Sequence, residues 1–174
     1  MKHQWRVTKY NPAERNSEGH YMKDEWVGIF ELNETFDGKT FTVDDYLEVE
    51  QKYVDAAVGF FRETNEKYLT LRNWQKYESG SASVKPYGLD ISTDFTDNQS
   101  ISINSLPVVI RMMLRDIAHC EIEIKNIFFI HIGWDFYMYI GSAFNLPAAI
   151  DDVNRSGLFV EECTSPHLET EIEI

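Results

Sequence analysis

The sequence predicts an α+β fold: a mainly antiparallel sheet with a central hairpin and about three helices packed on it. Three observations carry this. The stretch Lys125–Ser142, KNIFFIHIGWDFYMYIGS, reads as two strands joined by a turn at Gly133-Trp134-Asp135. Phe128, Ile130 and Ile132 share one face of the first strand and Phe136, Met138 and Ile140 one face of the second, because side chains alternate along a strand. Val43 to about Thr64 repeats apolar residues at helical spacing. Finally, strands and helices are mixed along the chain, with the strands closely spaced in its middle, and no linker divides the 174 residues into more than one domain.

Taken in order, Gln4–Tyr10 is a first strand with Trp5, Val7 and Lys9 on one face, ended by Asn11-Pro12. Ala13–Asp24 is polar and reads as a surface loop, and Glu25–Leu32 as a short strand weakened by Gly28. Asp37-Gly38 marks a turn. Thr42 is a good N-cap for the long helix, with Asp44 and Asp45 favourably placed in its first turn. Its stripe is Val43, Leu47, Val54, Ala57, Val58 and Phe61, which sets Glu48, Glu50, Lys52 and Asp55 outside. Tyr68–Lys76 alternates as a strand. Residues 78–102 are rich in Ser, Gly, Asp and Asn and read as a long flexible loop.

Ser105 and Pro107 open a second helix with the stripe Leu106, Val109, Ile110, Met113 and Ile117, which leaves Arg111 and Arg115 as a basic patch on its far side. Cys120–Ile124 alternates as a strand, with Ile122 and Ile124 opposed to Glu121 and Glu123. Leu146–Ser156 is a third helix, and Gly157 is suited to end it in a left-handed cap. Leu158–Cys163 is a last strand, and residues 166–174 form an acidic tail.

Composition restricts function. Hydrophobic residues make up 43% and aromatic residues 14%, enough for a core despite the charge. Sixteen Lys+Arg against 29 Asp+Glu give a formal net charge of −13, a field that repels nucleic acid and anionic membrane surfaces and either attracts a basic partner or simply aids solubility. The first residues, MKHQWRVTKY, lack the apolar core of a signal peptide, and no apolar run approaches the roughly 20 residues of a membrane span. With only Cys120 and Cys163, no disulfide framework is expected and the protein is read as cytoplasmic.

The chemistry-bearing residues give no catalytic motif. His119, Cys120, His131, Cys163 and His167 are zinc-ligand types at spacings that fit no compact zinc motif. A nucleophile pair of Cys120 or Cys163 with His131 lacks an oxyanion loop. Phosphate-binding glycine loops are absent. No cofactor or metal is therefore expected. What remains is the second face of the central hairpin. Glu121, Glu123, His131, Trp134, Tyr137 and Tyr139 are placed there as an acidic, aromatic partner-binding patch, since Tyr and Trp anchor interfaces and carboxylates steer cationic partners. Two other readings stay open. The tyrosines could lie beneath a helix or the long loop, or a His131/Tyr137/Glu123 constellation could serve acid–base chemistry in a small enzyme. An adaptor or homo-oligomeric structural protein is a further alternative.

RVTKYNP at Arg6–Pro12, KDEW at Lys23–Trp26, DFYMYIGS at Asp135–Ser142 and GLFVEE at Gly157–Glu162, taken together, resemble small bacterial proteins encoded beside secreted polymorphic toxins of the contact-dependent inhibition type. The resemblance implies an immunity protein without chemistry of its own, which binds a cognate toxin domain and blocks it. Many such toxins are nucleases with basic clefts, to which an acidic inhibitor is complementary.

Overall fold

In the computed structural model the described residues are 1–77 and 93–168. They form an α+β fold built on a seven-stranded sheet with strand order β5-β4-β6-β7-β8-β1-β9, every neighbouring pair antiparallel. The strands are β1 (His3–Thr8), β4 (Tyr68–Lys76), β5 (Ser100–Ser102), β6 (Ala118–Ile124), β7 (Phe128–Ile132), β8 (Met138–Ser142) and β9 (Phe159–Glu162). A separate two-stranded hairpin pairs β2 (Thr35–Phe36) with β3 (Lys39–Thr40) across the Asp37-Gly38 turn, where both residues take positive φ. Among the described residues there are three α-helices, α1 (Val43–Glu63), α2 (Leu106–Leu114) and α3 (Pro147–Ser156).

The central hairpin forms as expected. Register pairs Ile130 with Ile140 and Ile132 with Met138, and continues through Trp5 and Val7 of β1 and Ile122 of β6, making one apolar surface across the sheet. Helix α1 covers that surface: Phe61 packs on Phe128 with ring centroids 5.9 Å apart, and Phe60 on Trp5 at 5.5 Å. Both phenylalanines are fully buried, which stabilises the fold by about 1.5–3 kcal/mol each. Phe136 belongs to the tight Trp134–Phe136 turn rather than to β8, with Asp135 and Phe136 both at positive φ.

The ends of the helices follow from local chemistry. Thr42 caps α1 in a reciprocal box: its Oγ1 accepts from the Asp45 N–H at 3.2 Å, and Asp45 Oδ2 accepts from the Thr42 N–H at 3.1 Å. Glu63, at the other end of α1, accepts from the Ala148 and Ala149 N–H groups at 3.2 and 2.7 Å, so one helix supplies the anion at the N-terminus of α3. Gly157 ends α3 at φ 90°.

Several boundaries differ from expectation. Residues 25–32 hold a 3-10 turn, Ile29–Glu31, because Gly28 and the side chain of Glu31, which accepts from the Val27 N–H, fold the backbone away from a ladder. Strand β4 breaks its alternation at Asn73 (φ 56°), a bulge that shifts its register on β6. The long segment expected as a loop contains β5, which pairs with Tyr68–Thr70; residues 78–92 of it, and residues 169–174 of the acidic tail, lie outside the described residues.

Candidate functional site

The second face of the sheet carries Arg6, Tyr139 and His131 in one cross-strand row, and Glu123, Phe129 and Gly141 in the next. It is covered unevenly, and the six residues expected to form one patch are divided. Glu121 and Glu123 lie half-buried beside β4, where Asn73 Nδ2 donates to Glu121 at 3.2 Å and Arg72 Nε lies 3.5 Å from Glu123. His131 and Tyr139 are buried beneath the chain that follows β9. Tyr137 is half-buried further along, its ring 5.5 Å from that of Tyr10 and 5.0 Å from the Arg6 guanidinium. Trp134 opens the turn between β7 and β8. The constellation His131/Tyr137/Glu123 is divided: His131 meets Ser165, Tyr137 meets Tyr10 and Arg6, and Glu123 faces Arg72.

The cover over His131 is specific. Ser165 Oγ lies 2.9 Å from His131 Nδ1, the Ser165 N–H donates to Gln4 Oε1 at 3.1 Å, and the His167 ring stands edge-on to His131 and Tyr139. Burial pushes the His131 imidazole down to about 4, with His167 and His119 adding to the effect. Because the folded value lies below the ordinary 6.5, the unfolded chain binds the extra proton, and this contribution to stability is complete above pH 6.5 and is lost as pH falls toward 4. Urea midpoints measured through that window should fall with pH, and His131→Asn should flatten the slope; parallel slopes in the two proteins would refute the assignment.

Parts of four stretches far apart in sequence, within Arg6–Pro12, Lys23–Trp26, Asp135–Ser142 and Gly157–Glu162, meet at one end of this sheet. Glu161 of β9 receives Arg6 at 3.1 Å and Arg15 at 2.6 Å. Burial alone would raise the Glu161 carboxyl, but the two guanidiniums bring it below the ordinary value. Lys9 reaches across to Glu25 at 3.0 Å, its ammonium 4.1 Å from the Tyr10 ring and 4.2 Å from the Trp26 ring. Trp26 in turn stacks on Phe41 (4.4 Å, 13°) and meets the edge of Phe136 at 5.2 Å. The expected polar loop over Ala13–Asp24 is therefore pinned to the sheet at both of its ends.

Beside this junction lies a cleft of about 550 Å³ between the loop ending at Trp26 and the β2–β3 hairpin. Its aromatic side is Tyr21, Trp26, Phe36 and Phe41. Its charged lining is Glu14, Asp24, Glu25, Asp37 and Asp45 against Lys23 and Lys39, with Asn11 beside them. The Lys39 ammonium and the Thr42 hydroxyl hold the Asp45 carboxyl down at about 2, so it remains anionic through the physiological range. Asp24 and Asp37 are exposed and form no ion pair among the described residues.

Two expectations for α1 and α2 are corrected. Glu50 faces inward, 2% exposed, and Arg115 is 1% exposed, so the basic patch of Arg111 and Arg115 does not exist as such. Arg115 Nε and Nη2 each lie 2.6 Å from a Glu50 oxygen, and Arg111 Nε lies 3.4 Å away. Apolar periodicity alone places Glu50 on the outer face of α1, because a charge counts as solvent-facing; the signal for the pair is a carboxylate one turn from the buried positions Tyr46 and Tyr53. Cys120 is buried against Met113, and burial pushes its thiol up to about 12, far from a reactive thiolate. Among the described residues no three His, Cys, Asp or Glu side chains gather as a metal ion requires. No described helix is long and apolar enough to cross a membrane. Comparison of the chain with protein-family models, curated proteins and solved structures finds no match.

Proposed function

We propose that this chain is an immunity protein of the contact-dependent inhibition type: it binds a cognate toxin domain, a basic nuclease, in the cytoplasm and masks its active or substrate-binding surface. The observation that carries this reading is the charge of −13, much of it on exposed carboxylates outside internal pairs. Such a surface accelerates encounter with a cationic protein and disfavours nucleic acid and anionic lipid. The meeting of parts of Arg6–Pro12, Lys23–Trp26, Asp135–Ser142 and Gly157–Glu162, the stretches on which the resemblance rests, at one junction supports it as well. The protein works by surface complementarity and needs no cofactor.

The test is capture with this protein as bait from its own host's lysate at low and at high salt, followed by assay of the captured fragment on nucleic acid with and without added bait. A basic fragment that is released at high salt, and whose nuclease activity the bait suppresses, is the expected result. A captured partner whose activity is unaffected by the bait would end the reading.

A further inference from the structure

The cleft between the loop and the β2–β3 hairpin differs from an ordinary solvated acidic surface in two respects. Its carboxylates rim an aromatic wall, formed where Phe36 meets Phe41 edge-on at 6.2 Å and Phe41 stacks on Trp26. That wall already holds a cation from within the molecule: the Lys9 ammonium sits against Tyr10 and Trp26 with Glu25 as its counter-ion, its side chain 6% exposed. An ammonium in contact with two ring faces and one carboxylate is stabilised by the ring quadrupoles as well as by charge. Carboxylates and aromatic rings recur on the open side of the cleft, where Asp24 and Asp37 form no ion pair among the described residues.

We propose that this cleft is the docking site for a lysine- or arginine-bearing segment of a basic protein partner, the cationic side chain lying against Phe36 and Tyr21 beside the Trp26–Phe41 stack and meeting Asp24 and Asp37. This deepens the immunity reading and rests on it for the identity of the partner. The opening is well sized for such a segment, since a cleft of about 550 Å³ falls within the range of pre-formed binding sites. It is also held in shape. The Asp37-Gly38 turn presents one carboxylate on a tight hairpin, Asp45 ties Lys39 to the capped start of α1, and Tyr21 donates to Glu25 at 2.5 Å. A pre-organised wall of this kind loses little entropy when a partner's side chain enters.

The probe is a fluorescent oligolysine peptide titrated at low salt against the full chain and two variants that each remove two negative charges, at different places. Asp24→Asn/Asp37→Asn alters the cleft, and Asn is well tolerated at the positive φ of position 37. Asp151→Asn/Asp152→Asn alters the exposed face of α3 instead. The cleft variant should weaken peptide binding by about threefold to tenfold and the α3 variant by less than about twofold. Equal losses in the two variants, or none in the cleft variant, would overturn the site. The captured toxin separates the site from the function. Full affinity of the cleft variant for the toxin overturns the cleft while leaving an immunity protein, whereas cleft-dependent peptide binding with no toxin captured keeps the cleft and removes its assigned partner.

Discussion

Glu50→Ala is expected to destabilise the protein by about 3–5 kcal/mol, measured as a fall in the urea midpoint with the slope unchanged. The expectation rests on asymmetry. With both partners present, the two 2.6 Å contacts satisfy Glu50 and Arg115 at a place where neither reaches water. Without the carboxylate, the Arg115 guanidinium stays charged, because arginine does not give up its proton in proteins, and it stays buried between α1 and α2. Arg111 lies on the same carboxylate and would lose its counter-charge too. Replacing both members with apolar residues of similar size, Glu50→Leu with Arg115→Met, should recover a large part of the loss, since that removes two desolvated charges together. A fall of less than about 1 kcal/mol for Glu50→Ala would mean that the pair is open to solvent.

Phe136→Ala should cost about as much, roughly 3–5 kcal/mol, by emptying the point where loop, sheet and helix meet. Its ring, 4% exposed, presents edges or faces to Trp26, Tyr46 and Tyr53 at 5.2, 5.8 and 5.4 Å, contacts that each add about 0.5–1.5 kcal/mol to simple burial. The backbone there is equally committed. Tyr53 Oη donates to the Phe136 carbonyl at 2.6 Å and accepts from the Lys9 N–H at 2.8 Å, which links α1, β1 and the turn after β7. Alanine leaves the strained positive φ in place and removes the packing that holds it. Thermal unfolding measures the first consequence. The second is local: Trp26 loses its edge contact, so oligolysine binding at the cleft should weaken even at temperatures where the variant is folded. A midpoint within a degree or two of the parent would show that the junction does not depend on this ring.

The parts of the fold that the sequence made legible are those where one physical signal dominates. Alternation over Phe128–Ile132 and Met138–Ser142 has one solution once one face must be covered, and the Thr42 cap with the stripe behind it defined α1 within a residue at its end. The site was less legible because it is assembled by tertiary contacts that no window contains. Tyr139 and His131 alternate like exposed residues and are buried by Ser165 and His167, which arrive from the far end of the chain. Glu50 reads as surface until Arg115, on another helix, is brought to it. The cleft joins residues from the loop, the hairpin and the start of α1, none of which carries a motif. Its one trace in the sequence was the pair of short stretches around Asn11 and Lys23–Trp26, conspicuous only by resemblance.

The function proposed for this protein is that its acidic surface neutralises a basic nuclease. The most direct measurement is the activity of a basic nuclease domain captured with this chain from its host, titrated with the chain at low and high salt. Activity should fall to nothing at an equimolar ratio in low salt and recover in part as salt screens the encounter. Undiminished nuclease activity at saturating amounts of the chain, in low salt, would contradict the account.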